Sequence, residues 1–260
     1  MVNRRRVIKT VGSLGTMSVV GTASASKKGE KIPAAEVGLD EEIARLLREN
    51  KTEKARIILE NNNIKYSISS SQRRNNTRSG YTTADYYDKG DSTVYASLVH
   101  REDDRWLATG VADLNWGEKS WTKSANTMND GFSLGWDNSH WTSPDRTRDN
   151  IWYGVYKKEE VPGNPDVIAS IDEYTRHGIG GEVELDGKQV EPKYPNFSLN
   201  LQTDILRTDP HPEVGFTFRY KHSFAAIGLS SSISFSYGPG VVMKVPRLAD
   251  SWMLEESVDP

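Results

Sequence analysis

The chain has 260 residues, 36% of them hydrophobic and 9% aromatic, and contains no cysteine. That is enough apolar material for one core plus an extra segment, and too much for an unfolded chain. A formal charge of −3 argues against nucleic acid, which needs a concentrated basic face; the missing thiols exclude a disulfide scaffold and lipid attachment through cysteine.

Asn3-Arg4-Arg5-Arg6-Val7-Ile8-Lys9 resembles the twin-arginine export pattern of two arginines, any residue, two apolar residues and a lysine. An uncharged stretch rich in Gly, Ser and Thr follows to Ala25, and Ala23-Ser24-Ala25 fits the small-x-small cleavage rule. Cleavage is expected between Ala25 and Ser26. The uncharged stretch would reach roughly 24 Å as a helix, short of the ~30 Å hydrocarbon core, which favours a removed signal over an anchor. Without residues 1–25 the chain keeps 29 basic against 36 acidic residues, a charge of −7. The resemblance implies a prokaryotic precursor carried folded by the twin-arginine machinery to a secreted or extracytoplasmic location.

Residues 26–66 read as a linker and a short helical segment. Asp40 is placed to cap a first helix carrying Ile43, Leu46 and Leu47, and Thr52 a second carrying Ala55, Ile58 and Leu59. Asn61-Asn62-Asn63 is a plausible stop, since asparagine tolerates the left-handed conformation of a helix end. Residues 67–80 are polar and read as a loop or linker, with Arg73-Arg74 a candidate processing site that would make 26–74 a pro-segment. From Tyr81 the period changes to two. Strands are expected at 94–99, 106–112, 131–136, 151–157, 167–175, 181–185, 188–194, 197–206, 214–220, 227–237 and 241–245. Asp186-Gly187 and Gly238-Pro239-Gly240 mark turns. The fold class this predicts for 81–260 is mainly β, an antiparallel β-sandwich or barrel.

No catalytic or metal constellation emerges, and no cofactor is expected. Gly131-Phe132-Ser133-Leu134-Gly135 matches a nucleophile-elbow pattern, yet Trp136–Trp141 is a poor helix and the surroundings are antiparallel. Asp85, Asp88 and Asp91 lack calcium-loop spacing, and the five histidines are scattered without paired spacing.

Two features stand above this background. Trp106, Trp116, Trp121, Trp136, Trp141 and Trp152 crowd into 47 residues, with Tyr153 and Tyr156 close behind. Aromatic faces stack on sugar rings, but tryptophans equally fill a core. Trp116, Trp121, Trp136 and Trp141 are the expected ligand-stacking residues. The second feature is 227–245, where Ile227, Leu229, Ile233, Phe235 and Tyr237 share an apolar face opposite a glycine and serines. A strand of this length would just cross a bilayer. The leading expectation is a non-enzymatic secreted or cell-surface binding protein for glycan or another surface polymer. The alternative is a pore-forming or bacteriocin-like toxin that inserts the 227–245 hairpin into a membrane surface, and an extracellular hydrolase comes third.

Overall fold

The computed structural model describes residues 31–71, 92–115, 129–144, 148–157, 167–185, 196–210, 215–224, 234–238, 240–244 and 250–260. The export signal with its junction at Ala25 and Ser26, the dibasic Arg73-Arg74 and the strand expected at 188–194 lie outside them.

A 3-10 turn at Ala34–Val37 precedes two short helices, α1 (Asp40–Arg48) and α2 (Thr52–Asn61). The strands are β1 (Tyr66–Ser71), β2 (Thr93–Glu102), β3 (Arg105–Leu114), β4 (Asp130–Gly135), β5 (Trp141–Thr142), β6 (Ile151–Lys157) and β7 (Val167–Thr175). They continue with β8 (Gly178–Leu185), β9 (Phe197–Arg207), β10 (Phe216–Phe224), β11 (Ser234–Gly238), β12 (Gly240–Lys244) and β13 (Asp250–Val258). One sheet runs β1-β2-β3-β9, with β5 and β6 both on the far edge of β9. The other runs β13-β10-β4-β8-β7, and β11 pairs β12 as a separate hairpin. Every strand pairing among the described residues is antiparallel. The protein is a mainly β, antiparallel sandwich with a small N-terminal helical segment, as the alternation predicts.

Period-two alternation sorts each strand into two faces. Trp106, Ala108 and Ala112 of β3 and Phe197, Leu199, Leu201 and Ile205 of β9 meet Phe132 and Leu134 of β4 and Phe216, Phe218 and Tyr220 of β10 in one buried cluster. A second core lies on the outer face of the first sheet. There Ile43, Leu46 and Leu47 of α1 and Ala55 and Leu59 of α2 cover Val99 and Leu107. The first sheet is therefore covered on both sides.

Several details differ from the sequence reading. Residues 67–71, expected as loop, form an edge strand whose Tyr66 and Ile68 lean on the helical core. An edge strand needs only one neighbour for its backbone, so a serine-rich segment suffices. β13 falls where no strand was expected, and it pairs with β10 over Phe216↔Val258 to Phe224↔Asp250. Neither Asp40 nor Thr52 caps its helix; each is the first helical residue, and no side-chain cap bond forms at Leu39 or Lys51. The carboxylate of Asp40 is taken instead by Arg101. The helix stop does behave as expected, with Asn63 at φ 53°.

Gly110 of β3 sets the spacing between the sheets. A Cβ there would stand 2.1 Å from Cδ2 of the fully buried Phe218 in β10. Gly110→Ala should therefore destabilise the protein by about 1–3 kcal/mol in urea denaturation. A change within error would show that the sheets are not in firm contact at this point.

Candidate functional site

Two of the four expected ligand-stacking tryptophans are core residues. Trp136 and Trp141 are 2% and 0% exposed. Trp136 Nε1 donates to the Arg176 carbonyl at 2.8 Å, and Trp141 meets Trp106 edge-on with centroids 6.0 Å apart. Their rings fill the sandwich, which has no disulfide to supplement burial. Trp116 and Trp121 lie outside the described residues. Of the expected membrane-facing side, Phe235 and Tyr237 fall on β11, in register with Met243 and Val241 of β12. Ile227, Leu229 and Ile233 lie outside the described residues. Ser133 is fully buried in β4, in the middle of its sheet, and a turn at 138–140 rather than a helix follows, so the nucleophile-elbow geometry is absent.

The accessible aromatic surface sits instead on β6. Trp152, Gly154 and Tyr156 share one face of this strand, and the Trp152 and Tyr156 rings stack with centroids 6.0 Å apart at 24°. Gly154 makes this arrangement possible. A Cβ at that position would come within 3.1 Å of Trp152 Cη2, so the indole lies across the bare backbone towards Tyr156. The Arg48 guanidinium stands 5.6 Å from the Trp152 ring centre, a cation–π approach from α1.

Helix α1 forms the opposite wall. Ile43, Ala44, Leu46 and Leu47 point into the protein, so Glu41, Glu42, Arg45 and Arg48 are left on the outer side. Between helix and strand runs an open groove of about 490 Å³ lined by Glu41, Glu42, Arg45, Arg48, Glu49, Trp152 and Tyr156. Its charges are largely self-compensating. Arg45 pairs with Glu49 at 3.1 Å, Lys51 with Glu49 at 2.5 Å and Arg48 with Glu41 at 3.8 Å. The two cations hold the Glu49 carboxyl below its usual range, Lys51 more than Arg45.

Beneath the groove, the outer face of β9 presents Ser198, Asn200, Gln202 and Asp204, all buried. Gln202 Nε2 donates to Thr109 Oγ1 at 2.9 Å and to the Ala44 carbonyl of α1 at 3.2 Å. Arg101 completes the attachment. Its Nη2 donates to Asp40 Oδ2 and Glu41 Oε1, both at 2.8 Å, while Nη1 reaches Asp204 Oδ1 at 3.1 Å. One guanidinium thus ties the start of α1 to a buried carboxylate in the sheet.

No protein-family description matches this chain, and none of the curated proteins does either. Among solved structures, one from a study of pH-induced modulation of Streptococcus parasanguinis adhesion by Fap1 fimbriae matches at 8% identity and a TM-score of 0.26. The match covers 75% of this chain and 94% of that one. Likeness at that level carries no argument about function.

Trp152 and Tyr156 belong to the aromatic cluster visible in the sequence, but density alone does not single them out. The discriminating signal is their spacing. In Trp-Tyr-Gly-Val-Tyr two aromatics fall on one strand face with a glycine between them, a pattern that permits a flat pair. The polar row of β9 carried no such signal, because alternate polar residues ordinarily mean a solvated face.

The Arg101 bridge has a pH signature. Its hydrogen bond holds the Asp40 carboxyl below the ordinary value of 3.8. That contribution to stability is complete above the ordinary value and is lost as pH falls through the native one. Arg101→Met should remove this part of the acid dependence. It should also cost about 2 kcal/mol at neutral pH, because among the described residues buried Asp204 keeps only Arg105 as an ion-pair partner. Denaturation midpoints of the two proteins between pH 7 and pH 3 check both effects, and parallel curves of equal height would show that the bridge is unimportant.

Proposed function

We propose that this chain is a non-enzymatic, extracytoplasmic binding protein that holds a glycan in the groove between α1 and β6. The observation that carries the reading is the stacked Trp152–Tyr156 platform, faced across the groove by carboxylates and guanidiniums. A sugar ring has an apolar face that suits a flat aromatic and a rim of hydroxyls that both donate and accept. The walls answer each requirement. A purely apolar ligand would meet a charged rim, and a polyanion would meet a protein whose expected mature charge is −7. The resemblance of residues 1–25 to a twin-arginine leader supports a location where surface polymers are met. The stacking residues are Trp152 and Tyr156 in place of the core residues Trp136 and Trp141.

The β11–β12 hairpin favours one second reading, insertion into a membrane. It forms a two-stranded sheet of its own and lies against β4 and β8 without sharing their backbone ladders. Its described strands span five residues each, below the roughly 9–11 that cross a bilayer. Purified mature protein is therefore expected to leave dye-loaded anionic liposomes intact, and concentration-dependent release would put the membrane reading first.

Trp152→Ala and Tyr156→Ala separate a binding platform from a structural one. Each should weaken binding to immobilised neutral polysaccharide at least tenfold, about 1.4 kcal/mol, while leaving the melting temperature nearly unchanged. Unaltered binding by both variants would remove the platform from the account.

A further inference from the structure

One group beneath the groove stands apart from its neighbours. Asn200 is fully buried in β9, and among the described residues neither its amide oxygen nor its amide nitrogen has a hydrogen-bond partner. The rest of the row is satisfied. Ser198 Oγ donates to Asp113 at 2.8 Å, Gln202 bridges Thr109 and Ala44, and Asp204 accepts from Arg101. Buried polar groups are nearly always paired, and a protein tolerates an orphan amide at a real cost in stability.

Strand register places this amide beside the aromatic platform. Asn200 is paired across β9–β6 with Gly154, and across β3–β9 with Val111. Trp152 pairs with Gln202 and Tyr156 with Ser198, so these positions of β6 and β9 belong to one face. At Gly154 there is no side chain between Asn200 and the indole, which lies over that position. The unpartnered amide therefore sits next to the ring that forms the groove wall, screened by it.

We infer that Asn200 is the specificity-determining residue of the groove, reading a pair of adjacent hydroxyls on a sugar stacked against Trp152 and Tyr156. This inference rests on the glycan reading proposed above. A carboxamide donates from nitrogen and accepts at oxygen within one planar group, which matches two neighbouring hydroxyls of which one accepts and the other donates. A carboxylate could only accept and an ammonium could only donate. The ligand class is an uncharged sugar with vicinal hydroxyls, because the arginines of the groove are already committed to Glu41 and Glu49. Recognition on this reading requires the indole to swing away from Gly154, because the amide is fully buried beneath it.

The test compares wild type with Asn200→Leu, which keeps the branching and the number of side-chain heavy atoms, on a panel of cello-, chito-, xylo-, manno- and maltohexaose, with melting temperature read in parallel. Wild type should bind at least one of these sugars, and Asn200→Leu should bind it at least tenfold more weakly. The variant's melting temperature should rise by about 2–4 °C, because it no longer buries an unpaired amide. Asn200→Ser serves in its place if the leucine variant does not fold; a tenfold loss there supports the inference and undiminished binding overturns it. If wild type binds and Asn200→Leu binds equally well, Asn200 has no role in recognition while the groove reading stands. A lower melting temperature with unchanged affinity would show that the amide is held internally, and this also overturns the inference. If wild type binds no sugar in the panel, the glycan reading fails and this inference falls with it.

Discussion

The outer face of the first sheet has to be covered, and much of that face is polar. β2, β3 and β9 give their apolar sides to the sandwich core, which leaves Val99 and Leu107 together with Ser198, Asn200, Gln202 and Asp204 on the other side. Apolar burial by α1 and α2 handles the first pair. The polar row cannot be treated that way, since each buried donor or acceptor without a partner costs about 1–3 kcal/mol. Arg101 and Gln202 resolve most of it by bonding the sheet to the helix, so attachment and satisfaction are the same set of contacts. Helix position, groove and orphan amide all follow from that arrangement.

The groove exists because the helical cover stops short of the sheet edge. α1 reaches β9 through Ala44 but leaves β6 open, and the edge strand carries Trp152 and Tyr156 on the face that the helix would otherwise close. Edge strands are usually blunted by charge, twist or cover. Here two large aromatics and the Arg48 guanidinium stand above the strand instead. The core of the sandwich takes Trp106, Trp136 and Trp141, all buried in a molecule that has no cysteine to cross-link it.

Much of the fold was legible because period-two alternation is a strong signal when one face is buried. Strands 151–157 and 167–175 were read to the residue, and 94–99 and 197–206 to within a few. β1 escaped because serine-rich edges look like loops, and β13 because Trp252, Met253 and Leu254 are consecutive and blur the alternation. The site was less legible for a different reason. Whether a tryptophan is core or surface depends on which neighbour lies across from it, and that is a property of sheet pairing, not of local sequence. Trp141 and Trp152 look alike in the chain; one falls on the inner side of β9's edge, the other on its outer side beside α1. Asn200 was invisible for the same reason, since its burial depends on a helix 150 residues away in sequence.

The central claim is that ligand enters between α1 and β6. Two-dimensional 15N NMR of the mature protein, titrated with a neutral hexasaccharide that it binds, tests this directly. The account predicts that the Trp152 indole N–H, the Gly154 backbone amide and the Asn200 side-chain amide shift together, while the buried Trp106, Trp136 and Trp141 indoles stay in place. Shifts confined to other residues, with these three signals unmoved at saturation, would contradict it.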